Sequence, residues 1–264
     1  MEEVRFARLR PAQLIERRNA HPVVYIPLGT LEWHGLHNPL GADGLQAEEL
    51  AVRCARLSGG LVFPTVYYGE SRANSLLETD PMLKAGVASR LGLTEGQLSP
   101  ERQPYSPIAQ IEHYQRHLVH ILAEAASYGF KSAVFVVGHY PLLDHARAAV
   151  LTFNQWNYDK PWNPMLAWAF ADFQLLKGQF ECPGDHAGAW ETSHLLASDP
   201  DTVSMELTEK HFQYGIMTSR DPTGSTAEFG NEIYDAAVTA AVKLVEERLK
   251  HPEAYSRHGM PVDP

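Results

Sequence analysis

The chain has 264 residues, 44% of them hydrophobic and 20% charged, the make-up of an ordinary globular protein. A formal net charge of −10 argues against a general phosphate-backbone binder, which carries a basic face, so no nucleic-acid partner is expected. No apolar run approaches the ~20 residues that would span a bilayer, so no membrane partner is expected, and the two cysteines, Cys54 and Cys182, stand in no metal-binding or redox spacing.

The opening stretch, MEEVRFARLRPAQLIERR, is charged throughout and lacks the apolar core of a signal peptide, so a cytoplasmic location is expected. Val23 to Gly29, VVYIPLG, is a β-branched and apolar run ending at Gly, which suits a strand buried on both faces. From Gly44 onward, Leu45, Leu50, Cys54 and Leu57 recur near helical spacing until Gly59-Gly60 stops them. Leu61 to Gly69 reads as a second strand, with Pro64 placing it at an edge or an irregularity. Residues 70–105 are polar, hold several Gly and Pro, and are too long for a plain connection, so a lid or a subunit-contact excursion is expected there.

A strong helix follows, opened by Ser106 as N-cap and Pro107 in the first turn and closed by Gly129. Ser132 to Val137 is the next strand, ending at Gly138-His139. A helix is expected over Leu142 to Gln155, a strand over Met165 to Phe170, a helix start at ETSHLLAS, and a final helix over Asn231 to Lys250. Strands alternating with helices indicate an α/β fold with a largely parallel central sheet. No repeat, low-complexity tract or linker divides the chain, so a single domain over 1–264 is expected.

Three polar clusters follow apolar strands or sit in Gly-containing loops: Glu32/His34/His37/Asp43, then His139, then Asp185/His186/Glu191. In an open α/β sheet, loops leaving the carboxyl ends of the strands converge on one crevice, where ligands bind. Unpaired carboxylates gathered there would repel one another, and a divalent cation relieves that. Mixed imidazole and carboxylate donors suit Zn²⁺, Mn²⁺ or Fe²⁺ better than Mg²⁺ or Ca²⁺. Each residue also has a plainer role open to it. Asp43 could cap the following helix, Glu32 could be a surface charge, and His139 could be a satisfied polar residue. His37 could bond its own loop, and Glu191 lies where a first-turn carboxylate is favoured anyway.

The stretch PLGTLEWHGLHNPLGAD resembles the metal-binding signature of the creatininase (creatinine amidohydrolase) family, in which a Glu, a His two residues on and an Asp nine residues after that His are ligands. GHY after a strand resembles the family's second element, and DHAGAWETSHLLA its third. The resemblance implies a three-layer α/β/α subunit, often hexameric, with Glu32, His34, Asp43 and His139 as ligands of a centre of one or two divalent ions, Zn²⁺ or Mn²⁺ with Fe²⁺ as an alternative. Asp43 would bridge, Glu191 would complete the site, and His186 would lie near the substrate as proton shuttle. Tyr140 matches a position that lines the substrate pocket. The chain departs from creatininases proper at Pro141, where they have a ligand Glu, and at Leu142, where many other family members have Asn. It also lacks the His and the Gly-Thr segment usual after the second strand.

A hydrolase of a cyclic amide or related C–N bond in a small polar metabolite is therefore expected, with His186 or Glu191 passing the proton to the leaving group. The alternatives are hydrolysis of a ring ketone or lactone, such as an oxidised cyclitol or sugar, and a non-catalytic metal or metabolite binder. Trp156, Trp162, Trp168, Phe170, Phe173 and Trp190 could stack on a flat ring or simply fill core and interface; Trp190, inside the loop carrying His186, is the one expected to bind substrate.

Overall fold

The computed structural model describes residues 3–69, 76–158, 160, 162, 164–208, 216–218 and 220–255. A helix unforeseen from the sequence comes first, α1 (Pro11–Ala20), with Pro11 in its first turn. None of its residues is fully buried, so it carries little of the apolar periodicity that would reveal it. Then follow β1 (Val23–Leu28), α2 (Ala42–Ser58), β2 (Leu61–Val62), α3 (Lys84–Arg90), α4 (Pro107–Ser127), β3 (Ser132–Val137), α5 (Leu142–Asn157), β4 (Leu166–Phe170), α6 (Asp172–Leu175), α7 (Ala189–Ser198) and α8 (Ala227–Lys250).

The four strands pair in the order β2-β1-β3-β4, all parallel. Alternate side chains feed the two faces of the sheet. Val24, Ile26 and Leu28 of β1 and Ala133, Phe135 and Val137 of β3 pack under α4 and α5. Val23, Tyr25, Val134, Val136, Trp168 and Phe170 pack under α2 and α8. The expected three-layer α/β/α arrangement is thus present. Both faces are covered, which is why these strands read as unbroken apolar runs.

Several boundaries differ from expectation for visible reasons. The ladder of β2 stops after two residues, just before Pro64, and the chain touches β1 again only through a single Val66–Leu28 bridge. Helix α8 starts at Ala227 rather than Asn231, because the Thr226 side chain accepts the Phe229 N–H and caps it there. Ser106 caps α4 as read, accepting the Ala109 N–H, and Gly129 follows its end at φ +83. Within the 70–105 stretch, 70–75 lies outside the described residues; the remainder contains 3₁₀ turns and α3. Among the described residues no helix is long and apolar enough to cross a membrane.

Because all four strands run the same way, β1, β3 and β4 deliver Gly29, Gly138 and Ala171 to one edge of the sheet. The first turn of α2 is pressed against that edge. A Cβ at Gly29 would lie 2.3 Å from the Gly44 nitrogen, and one at Gly138 would lie 2.0 Å from the Asp43 carbonyl oxygen. Only glycines allow so close an approach, and the result is that Asp43 is wedged between the loops leaving β1 and β3.

Candidate metal centre

The loop after β1 carries Glu32 and His34, the first turn of α2 carries Asp43, the residue after Gly138 is His139, and α7 carries Glu191. All five are buried, none more than 4% exposed. Their polar atoms face one another. His34 Nε2 lies 3.2 Å from Asp43 Oδ1 and 3.5 Å from Glu191 Oε2. His139 Nδ1 lies 3.1 Å from both Glu32 Oε2 and Asp43 Oδ2. The two oxygens of Asp43 therefore look in two directions. One joins His34 and Glu191; the other joins Glu32 and His139.

The helix settles the alternative open for Asp43. Its N-cap is Gly41 and no side chain caps it, so Asp43 is free of capping and turned into the cluster. Asp185 does the capping elsewhere: its carboxylate accepts the N–H groups of Gly188, Trp190 and Glu191 at the start of α7 and the hydroxyl of Thr218. That fixes the turn from which Glu191 projects. Glu191 is held further by Gln46, which donates to Oε1 at 3.1 Å, and by the Ala187 N–H, which donates to Oε2 at 2.8 Å. Glu32 Oε1 accepts the Leu77 N–H, so the 70–105 stretch touches the cluster directly.

His186 stands beside the cluster, its ring centre 4.3 Å from that of His34 and its Nδ1 4.0 Å from Glu32 Oε2. Its Nε2 faces the Trp33 carbonyl at 2.8 Å. A carbonyl only accepts, so Nε2 carries the proton. Burial, aided by the nearby His34, pulls the His186 pKa down to about 4, so the ring is neutral and its Nδ1 offers a lone pair. His37 bonds not its own loop but Thr192 of α7, at 3.1 Å.

The charges are strongly perturbed. Burial opposes protonated His34, yet Asp43, Glu191 and Glu32 outweigh it and hold the pKa up at about 10. The same contest, won by Asp43 and Glu32, raises His139. Burial works against ionised Asp43, but His34 and His139 pull it well below the carboxylate range; burial also opposes ionised Glu32, but His139, with His186, lowers it. Glu191 goes the other way: burial dominates and lifts it to about 8.

The donors suit divalent ions. The sets Glu32/Asp43/His139 and His34/Asp43/Glu191 each bring three ligand atoms within 4.8 Å of one another. Contacts of 3.1–3.5 Å match neighbouring donors around an ion bound at about 2.0–2.2 Å. Glu32 Oε2 and Asp43 Oδ2 are buried with only the single nitrogen of His139, 3.1 Å from each, to share between them, an incomplete satisfaction that a cation would complete. His34 Nδ1 donates to the Glu32 carbonyl at 3.1 Å, which leaves Nε2 as the donor atom towards Asp43 and Glu191.

A cavity of about 460 Å³ opens onto this cluster, lined at its floor by Glu32, Asp43, His139, His186 and Glu191. Tyr140, expected to line a pocket, does so, as do Pro141 and Phe173. Trp190 does not. Its side chain is 2% exposed and packs on Phe180, Phe229 and His194, with its indole N–H donated to Asp172 at 2.7 Å. Trp156 and Trp162 are exposed, and Trp168 and Phe170 stack in the core. Trp190→Ala is therefore expected to lower the unfolding free energy by about 3–5 kcal/mol in urea denaturation, as a core truncation does; unchanged stability with a raised KM would contradict that placement.

Gln46, Asp172 and Leu77 were not singled out from the sequence. Gln46 could have been, since it sits one helical turn after Asp43 on the same face of α2. Asp172 follows the end of β4 at the same sheet edge; Leu77 carries no sequence signal, since its backbone makes the contact.

A family model described as Creatininase: Creatinine amidohydrolase matches residues 7–89 and 104–245. No curated protein sequence matches the chain. Among solved structures, creatinine amidohydrolase (creatininase) superposes with a TM-score of 0.68 at 20% identity, covering 96% of this chain and 99% of the other. A manganese form of creatininase gives 0.68 at 20% identity, covering 95% and 100%. A mutant creatininase complexed with creatine gives 0.67 at 19% identity, with the same coverages.

Proposed function

Since the chain belongs to the creatininase family, we propose that it is a metal-dependent amidohydrolase opening a cyclic amide or a related C–N bond in a small molecule. The observation that carries this is Asp43, with one oxygen in each of two three-residue donor sets, at the floor of a cavity reached from outside. A purely structural metal site would be closed on all sides.

Glu32, Asp43 and His139 would hold one ion, and His34, Asp43 and Glu191 a second. Pro141, two residues after His139, adds no ligand to the first set, while Glu191 would complete the second. Mixed nitrogen and oxygen donors favour Zn²⁺ or Mn²⁺, and solved creatininases include zinc–zinc and manganese forms. Divalent ions bound there supply Lewis-acid polarisation of a carbonyl and hydroxide near neutral pH. The protein supplies the rest. Gln46 and the Ala187 N–H keep Glu191 from turning away. The Trp33 carbonyl pins the proton of His186 on Nε2, so Nδ1 is the atom that takes a proton beside the reacting group and returns it to the departing nitrogen. This reading takes the working form to be a cytoplasmic homo-oligomer of single-domain subunits.

The test is reconstitution with Zn²⁺ or Mn²⁺ followed by assay on creatinine and other cyclic and open amides. Metal-dependent C–N cleavage, read as ring opening of a cyclic amide or amine release from an open one, is the expected outcome, and tight metal uptake with no amide cleaved would sink the proposal. His186→Ala is expected to keep its metal and lose about a hundredfold in turnover; loss of metal would mean that His186 is a ligand instead.

A further inference from the structure

The cavity has two chemically different halves. The floor holds the polar groups described above. Among the described residues the wall is formed by Leu77, Tyr140, Pro141, Phe173, Pro183 and Met217. The tyrosine hydroxyl is buried away from the open space, so the wall meets a ligand with carbon. A group resting there gives up water without gaining hydrogen bonds from these side chains. That favours an apolar surface and penalises a row of hydroxyls.

The wall is also built rather than loose. Tyr140 and Phe173 pack ring to ring, centroids 4.5 Å apart and planes 58° apart, and both rest on the core beneath α4 and α5. The 183–184 turn lies directly on them: a Cβ at Gly184 would come within 3.0 Å of the Phe173 Cβ and 3.2 Å of Tyr140 Cε2, and Gly184 has φ +83, a conformation that favours glycine. Met217 is fixed from behind, its backbone exchanging both hydrogen bonds with His186. Tyr140, Phe173 and the 183–184 turn thus form one packed unit beside the floor, with the Met217 backbone tied to His186. The cavity's volume lies within the usual range of small-molecule sites, about 300–1,000 Å³, and leaves room for a ring beyond the amide itself.

We infer that this site takes an amide bearing a flat apolar ring, such as an aryl group, rather than a polyhydroxylated one. The inference rests on the hydrolase reading for its chemistry: water adds across the C–N bond, its oxygen going to the carbonyl carbon and a proton to the departing nitrogen. It rests on the wall alone for its selectivity. This argues against the oxidised cyclitol or sugar as substrate, since hydroxyls turned to this wall would face Pro141, Phe173 and Leu77.

Acetanilide and N-acetylglucosamine share one acetamide group and differ in the rest, so they isolate the wall. Their affinities are to be measured by ligand-observed NMR titration on both the metal-free and the Zn²⁺-loaded protein. Acetanilide is expected to bind on the order of tenfold tighter in both states. Phe173→Ala should erase most of that preference. Met217→Gln, at a position 56% exposed where the fold is not at risk, should reduce it severalfold. N-acetylglucosamine binding as tightly as acetanilide, or a preference untouched by both variants, would overturn the inference. If acetanilide binds as expected but no amide is cleaved with Zn²⁺ or Mn²⁺, the hydrolase reading fails while the apolar subsite stands. Cleavage confined to polyhydroxylated amides overturns the subsite and leaves the hydrolase.

Discussion

Asp43→Asn is expected to strip the protein of both ions and to lower turnover at least ~10³-fold, the largest effect of any single substitution here. The side chain keeps its shape, so the wedge between Gly29 and Gly138 survives. What changes is that one of its two arms becomes an amide NH₂. Oδ1 faces His34 at 3.2 Å and Oδ2 faces His139 at 3.1 Å, so whichever way the amide settles, a donor replaces an acceptor in one donor set. The shared negative charge is lost from both. Metal content by elemental mass spectrometry, measured alongside kcat/KM and far-UV circular dichroism, separates this from unfolding. A folded variant retaining full metal stoichiometry would show that Asp43 does not join the two sets.

Metal removal is expected to leave a protein that loses stability as pH rises. In the metal-free protein His34 has a pKa of about 10 against an ordinary value of 6.5, and His139 is raised too. A raised folded-state pKa contributes stability fully present below the unfolded value and lost as pH rises through the folded one. Glu191, raised to about 8 from 4.5, acts in the same sense over a lower window. His186, lowered to about 4, works oppositely: its contribution is present above 6.5 and lost as pH falls through about 4. Between pH 6.5 and 9 the first group prevails, so the Tm of chelator-treated protein should fall by about 5 °C or more, at roughly 2–4 °C per kcal/mol for a chain of this size. Bound ions displace the protons of His34 and His139, so the Tm gain from Zn²⁺ should grow over the same interval. A flat Tm in chelator, or a metal gain that shrinks as pH rises, would refute the assignment of these two imidazoles.

Much of the site is legible in the sequence. Glu32, His34, Asp43 and His139 stand where apolar strands end, and a parallel sheet must bring such ends to one edge. Whether Asp43 was a cap or part of the cluster was not readable, because a carboxylate in a helix's first turn serves either role. The answer came from Gly29 and Gly138, whose missing side chains let α2 press its first turn into the crevice. Trp190 illustrates the opposite failure. Its place in the chain, four residues after His186, suggested the cavity, but on α7 the side chain turns inward to Asp172 and the α8 side of the core. Adjacency along a chain does not give direction in a helix, where each residue turns by about 100°.

What the residue order determined by itself was local: strand runs too apolar to face water, helix starts at Ser106 and Pro107, and the kind of donor atoms delivered to the carboxyl edge. These follow from propensity, capping and periodicity, which act over a few residues. What only the tertiary structure decided was which donors face one another, that Gln46 and the Ala187 N–H hold Glu191 against His34, and that Leu77, Phe173 and Met217 line the cavity beside them. Those contacts join residues far apart in the chain, and their geometry is set by how closely layers pack, which no local pattern encodes.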